Sequence, residues 1–402
     1  MIKRITIKNY KSVADLSLDL GRFNILIGEN GCGKSNILEA IALGSASNAD
    51  KLDYEFLGSR GIRATQSEFM FSAFENGKKN KSIGIEFTDN KNETFPVTLK
   101  IDADSSQKWI NINKEIANKE IDNYVKALIN KDSQELEEKA TSEKELNWIS
   151  TMKSVFNELS KDDELKVLTS TIFTTLNDKL FKNKFIGDFI IFSPEQSSLR
   201  DFREPSQILP LGIRGEGLFQ ELKRMMYNKK SNKQLIEIKE LLSLLDWFED
   251  FQIPGDLLSN EFTLQVKDKY LHKNLQYFDQ RSTNEGFLFL LFYFTLFISK
   301  DTPPFFAIDN IEAAFNPKLC TRLIRTLAFQ TSKKKKQVIV TTHNPAVLDG
   351  LNLKDDDQRL FIISRNMEGH TKLRRIEYNP DRTLALSEAW NKGLIGGLPD
   401  NF

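Results

Sequence analysis

Cysteine is nearly absent, with Cys32 and Cys320 the only two among 402 residues. One pair supports neither a disulfide framework nor a zinc site, and no Cys-x-x-Cys hook occurs, so a reducing compartment and a cytoplasmic protein are expected. Neither sign of charge is in excess, since Lys+Arg and Asp+Glu number 56 each. That excludes a uniformly basic nucleic-acid coat and leaves DNA only local patches. No apolar run is long enough for a bilayer: the longest, Gly286 to Ser299, falls short of roughly 20 residues and reads as a buried core helix, so no membrane partner is expected. The opening Met1-Ile2-Lys3-Arg4-Ile5-Thr6-Ile7 alternates like a strand and lacks the apolar core of a signal peptide, so the fold is expected to start at residue 1. Internal repeats and sustained heptads are also missing, which argues against a long coiled coil. The 40% hydrophobic content still provides for a soluble globular chain of two or three domains, or one domain with insertions.

What is present begins with Phe23 to Ile27, a short apolar run leading into Gly28-Glu29-Asn30-Gly31-Cys32-Gly33-Lys34-Ser35 and then the helical pattern Asn36-Ile37-Leu38-Glu39-Ala40-Ile41. Strand, glycine loop and helix in that order form a phosphate-binding loop. Its glycines let backbone N–H groups close on phosphate oxygens, Lys34 reaches the β and γ phosphates, and Ser35 ligates magnesium. The helix beginning near Gly33 adds the positive end of its dipole.

Two further apolar stretches, Phe305 to Ile308 before Asp309 and Val338 to Val340 before Thr341-Thr342-His343, read as strands buried on both faces. Lys318 to Gln330 reads as the crossover helix between them. The expected fold is α/β, a parallel sheet with its active residues at the carboxyl ends of strands. There Asp309 can reach a magnesium ion or its waters, and His343, one of three histidines, can touch a γ phosphate.

More than half of the chain separates Lys34 from Asp309, too much for an uninterrupted nucleotide-binding core. A split core of residues 1–104 and 261–402 is expected, with a largely helical insertion over 105–260 that includes a nucleotide-side segment near 186–217. Ile112 to Leu180 and Gly217 to Phe251 lack proline and repeat apolar residues at three-or-four spacing. The lysine runs Lys78-Lys79-Asn80-Lys81, Lys229-Lys230 and Lys333 to Lys336 read as solvated loops in preference to DNA contacts. Asp355-Asp356-Asp357 reads as an exposed turn.

Gly28 to Ser35, Asp309 and Thr342-His343 resemble the ATP-binding-cassette ATPases of the recombination-repair, chromosome-maintenance and overcoming-lysogenization-defect type, within the AAA family. The resemblance implies a P-loop NTPase of ABC-ATPase type with an inserted, mainly helical lobe, and ATP and Mg2+ as its ligands. It also implies nucleotide contacts from Lys11, Asn30, Gly31, Cys32, Gly33, Lys34, Ser35 and Asn36. Gln196 becomes a magnesium-side residue beside Ser35 and Asp309, and Ala313 to Pro317 a dimer-facing loop. Asn284-Glu285-Gly286 becomes the signature that caps the γ phosphate from the opposite subunit, with Asn284 where the family carries serine.

Within that group the chain is similar to single-cassette ATPases of bacterial anti-phage and abortive-infection loci. With only a short stretch after His343, the nuclease domain fused in some relatives is not expected here. The partners implied are a second copy or more of this chain across ATP and a separate effector, a nuclease or toxin. A DNA-repair or chromosome-maintenance ATPase that binds duplex DNA directly is the alternative, and a transporter ATPase a weaker third. One departure touches the chemistry. The family has Asp-Glu where this chain has Asp309-Asn310-Ile311-Glu312, and an amide cannot take a proton. Hydrolysis is therefore expected to be slow unless Glu312 supplies the base, which makes Asn310, Glu312 and His343 the candidate catalytic residues.

Overall fold

The chain starts as an antiparallel hairpin, β1 (Ile2–Tyr10) and β2 (Val13–Asp19), and then feeds β3 (Phe23–Ile27) into a different sheet. Helix α1 (Lys34–Asn48) and the short α2 (Tyr54–Ser59) follow. Strands β4 (Ile83–Asp89), β5 (Thr94–Ile101) and β6 (Trp109–Asn111) complete a five-stranded antiparallel sheet of order β2-β1-β4-β5-β6. Next come α3 (Lys184–Gly187), β7 (Ile191–Phe192), α4 (Gln196–Asp201), α5 (Leu218–Tyr227) and α6 (Asn232–Leu242). Strands β8 (Phe248–Gln252), β9 (Gln265–Asp268) and β10 (Phe278–Asp279) form a three-stranded antiparallel sheet. The remainder is α7 (Glu285–Ile298), β11 (Phe305–Ile308), α8 (Pro317–Lys333), β12 (Gln337–Thr342), β13 (Gln358–Arg365), β14 (Thr371–Ile376) and α9 (Leu386–Asn391). This computed structural model describes the chain except for residues 64, 73–81, 103–107, 117–118, 120–182, 203–207, 229–230, 256–261, 273, 276 and 399–402.

The central sheet has the order β14-β13-β3-β12-β11-β7 and is parallel except for the β13/β14 hairpin. Its strands read as continuous apolar runs because each feeds two cores. Ile25, Ile27, Phe306, Ile308, Val338 and Val340 face one cluster, whereas Leu26, Phe305, Ala307 and Ile339 face the other. The second core also takes in α1 and β1, so α1 lies between the central sheet and the antiparallel one, buried on nearly every side. On the opposite face α7 is buried from Phe287 through Ile298. An interior helix of this kind needs no polar face, and among the described residues no helix is long and apolar enough to cross a membrane.

The strands read from Phe305 and Val338 and the crossover helix between them occur as expected. Within the span read as helical, β6 instead pairs with β5, and Phe248–Gln252 is a strand. The register shifts between Phe248 and Asp250, so the buried residues are Phe248 and Phe251, three apart, a spacing that imitates a helix. Of Ile112 to Leu180, all but residues 112–116 and 119 lies outside the described residues, as do the lysine runs at 78–81 and 229–230. The run at Lys333–Lys336 is not the solvated loop expected: Lys336 is only 4% exposed, because β12 begins immediately after it.

Candidate functional site

Three parallel strands, β3, β12 and β11, deliver the phosphate loop, His343 and Asp309 to one edge of the sheet, at their carboxyl ends. Gly33 is locked into the loop by its surroundings. Its φ is 107°, and a Cβ there would stand 2.1 Å from the Thr371 hydroxyl. Lys34, 5% exposed, donates from Nζ to the carbonyls of Gly28 (2.8 Å) and Glu29 (2.9 Å) and lies 3.4 Å from His343 Nδ1. Burial lowers the pKa of Lys34. Partial desolvation, then repulsion from Lys34, lowers that of His343. Cys32 is buried in the loop, and burial raises its thiol pKa. Gly31 is exposed at φ 78°, with Asn30 exposed beside it. The first turn of α1 carries no carboxylate, leaving the positive end of a 15-residue helix available to an anion.

Ser35 Oγ donates to Asp309 Oδ2 at 3.2 Å, and Thr341 Oγ1 donates to Asp309 Oδ1. Those two hydroxyls fix the carboxylate next to the loop. No group of three or more His, Cys, Asp or Glu able to hold a metal exists among the described residues. Ser35 and Asp309 with phosphate oxygens and water make a donor set suited to magnesium, which is bound by few protein ligands. A cavity of about 290 Å³ opens beside them, lined by Glu39, Arg63, Ser193, Glu195 and Arg214 among others. Gln196 opens α4 and is exposed, and it is Ser193 and Glu195 of that segment that line the cavity.

Asn310 and Glu312 follow β11 with different prospects. Asn310 is exposed at φ 54°; its N–H donates to Thr341 Oγ1 (2.9 Å), and its side chain has no hydrogen-bond partner among the described residues. Glu312 turns inward. Its Oε1 accepts the His343 N–H at 2.7 Å, while Oε2 is buried without a partner. A carboxylate with one anchored and one free buried oxygen is equipped to accept a proton, and buried polar atoms are rarely left unpaired without a reason.

The structure brings the remaining expected residues to this edge in unequal degree. Lys11, at φ 44°, pairs with Glu39. Asn36 donates to Ser12 Oγ (2.7 Å). Asn284 caps α7 by accepting the Phe287 N–H at 2.9 Å, a role that serine and asparagine share. Gly286 is half-buried, and the nearest neighbour of an added Cβ would be Asn284 Oδ1 at 3.4 Å, so the chain's own packing does not require glycine there. The Ala313 to Pro317 loop adjoins it, with Ala314 O 3.6 Å from that Cβ position.

Sequence reasoning missed two groups. Glu39, 1% exposed, accepts from Tyr10 Oη (3.2 Å), Lys11 and Arg63 Nε (2.5 Å). Its spacing of four from Ser35, which places both on one face of α1, is the signal that would have found it. Thr371, on β14, donates from Oγ1 to Cys32 O (2.9 Å) and lies 2.7 Å from Ser12 Oγ, clamping the loop from behind. No local motif announces that contact.

The glycine loop, the parallel strand order and the convergence of Ser35, Asp309 and His343 define a P-loop NTPase of ABC-ATPase type. In keeping with this, the crystal structure of the SmcHead bound to the C-winged helix domain of ScpA aligns with TM-score 0.52 and 14% identity, over 94% of this chain and 98% of that one. Residues 1–348 match the AAA ATPase domain family model AAA_15, and the chain belongs to that family. Among curated proteins it is 30% identical over 109 residues to the DNA replication and repair protein RecF of Glaesserella parasuis serovar 5, 27% of this chain and 28% of that protein. It is 27% identical over 117 residues to an ATP/GTP phosphatase of Helicobacter pylori, 27% of this chain and 30% of that one. The matches thus span under a third of each of these two relatives.

Proposed function

We propose that the chain is a magnesium-dependent ATPase in which two copies enclose ATP between them, and that closure controls a separate effector, a nuclease or toxin, in anti-phage defence. The observation that carries the ATPase reading is the convergence of Lys34, the Ser35–Asp309 pair and the half-free carboxylate of Glu312 at one sheet edge. Lys34 and the loop amides from Asn30 to Asn36 hold the phosphates, with Ser35 and Asp309 as the protein ligands of the metal. Bound magnesium supplies neutralisation of the charge on the phosphate oxygens. Glu312 takes the proton from the attacking water, Asn310 orients water without accepting a proton, and His343 stands next to the γ-phosphate end of Lys34. Gln196, exposed at the start of α4, makes its contact on closure. On this reading the effector is reached through shape, which nucleotide shifts by binding one state more tightly than the other.

The two-copy reading rests on Gly286, whose lack of a side chain is not demanded by its neighbours among the described residues and leaves room for a partner's nucleotide. Sedimentation velocity tests it. Magnesium-ATP is expected to produce a dimer, and Gly286→Trp to stay monomeric with its thermal melt unchanged. A variant that still dimerises with ATP contradicts the assignment of Asn284-Glu285-Gly286.

A second reading, direct binding of duplex DNA, is favoured by the similarity to a DNA replication and repair protein. It predicts affinity that falls steeply with salt as lysine–phosphate contacts exchange for ions, whereas a switch acting on a protein partner predicts little or none.

A further inference from the structure

The opposite end of the central sheet carries a second cleft, unconnected with the chemistry above. Pro304 and Lys336 stand just before β11 and β12, so this cleft opens where the parallel strands begin, while Asp309 and His343 follow where they end. Its volume is about 900 Å³, within the range of small-molecule sites. Separate segments of the chain supply its cations: Arg60 after α2, Lys184 on α3, Lys300 after α7, and Lys333 to Lys336 at the end of α8. Another part of the lining is apolar, from Phe185, Ile190, Ile298 and Pro304.

The nearby carboxylates do not neutralise this collection. Asp188 lines the cleft and acts on Arg60, Asp301 pairs with Arg224, and Glu237 is shared by Lys333 (2.8 Å) and Lys334 (2.5 Å), which leaves more cations than carboxylates. Among the described residues no carboxylate lies within ion-pair distance of Lys184, Lys300 or Lys335, all three exposed. Two cations are buried outright. Lys336 donates to Leu296 O (2.7 Å) and Thr302 Oγ1, and its ammonium is 5.6 Å from the Phe306 ring centroid. Arg60, 8% exposed, donates to Phe189 O (2.6 Å) yet leaves Nε without a partner. Burial lowers both, Lys336 to about 7.

We propose that this cleft binds a nucleotide-sized organic phosphate, its phosphate groups on the lysine rim and its apolar body against Phe185, Ile190, Ile298 and Pro304. Phosphates match the clustered cations, and the apolar wall favours a ligand with a base or similar ring over a bare inorganic anion.

Calorimetric titration with ADP tests the proposal on the intact chain, on Lys184→Glu/Lys300→Glu/Lys335→Glu, and on Lys34→Ala. Two sites per chain are expected in the parent. The triple reversal should weaken one at least tenfold and leave ATPase activity unchanged, whereas Lys34→Ala should remove the other. Inorganic tripolyphosphate should occupy the cleft at least tenfold more weakly than ADP. A single ADP site in the parent, or two unaltered sites in the triple variant, overturns the proposal. So does tripolyphosphate binding as tightly as ADP, or a short single-stranded oligonucleotide displacing ADP at lower concentration than ADP itself. Loss of neither site in Lys34→Ala instead counts against the phosphate-loop assignment alone.

Discussion

Replacing Lys336 by methionine should stabilise the protein most at low pH and progressively less as pH rises. Burial takes the Lys336 pKa from the usual 10.5 down to about 7, and at about 1.36 kcal/mol per unit a gap of that size corresponds to about 5 kcal/mol. Between these two values the unfolded chain holds a proton that the folded chain has lost, so stability rises with pH across the window. The penalty is complete below the folded pKa and vanishes above the unfolded one. Methionine fills similar volume and does not titrate; it loses the bonds to Leu296 O and Thr302 Oγ1, at a cost of about 0.5–1.5 kcal/mol each, but Leu296 O keeps Thr302 Oγ1 as a donor at 2.7 Å. That cost does not change with pH, which makes the slope diagnostic. Urea denaturation of parent and variant at about pH 6 and about pH 9.5 should show the stability difference between them changing by roughly 3 kcal/mol in the parent's favour at the higher pH. A difference that stays flat across the window would refute the reasoning, because the amine would then have the same proton affinity folded and unfolded.

Glu312→Gln keeps an acceptor for the His343 N–H but cannot take a proton, so single-turnover ATP cleavage should fall roughly 10²–10⁴-fold with nucleotide affinity retained; an unchanged rate would leave the base unassigned. Asn310→Glu should raise the parent rate only if a second carboxylate can reach the water, and no change is expected if Glu312 already serves. Thr371→Val removes the hydroxyl that holds Cys32 O and Ser12, so denaturant melts should show a loss of about 1–3 kcal/mol, accompanied by weaker ATP binding. A loss of stability with ATP affinity intact would mean that the hairpin supports the fold and not the loop.

The sheet and its phosphate loop were legible because strands buried on both faces leave an unbroken apolar run, and Gly28 to Ser35 is a local motif. Asp309 and His343 could be read for the same reason, each following such a run. The strand at Phe248 was not legible, since its bulge spaces buried residues as a helix would. Lys336 was hidden by three lysines before it, and only the start of β12 carries it into the interior. The Thr371 clamp joins residues 339 apart, a distance at which sequence patterns carry no signal. The relative prospects of Asn310 and Glu312 were open in the sequence and depend on a turn geometry, φ 54° at Asn310, that points one outward and lets the other reach His343.

The central claim is that Lys34 and its loop bind the phosphates of ATP. Calorimetry with magnesium-ATP on the parent and on Lys34→Ala tests it most directly, because the substitution removes the buried charge at the loop while leaving its glycines and the Thr371 clamp in place. The account predicts saturable binding at the loop in the parent and its loss in the variant. Unchanged magnesium-ATP affinity in Lys34→Ala, with the fold intact by its melting curve, would contradict it.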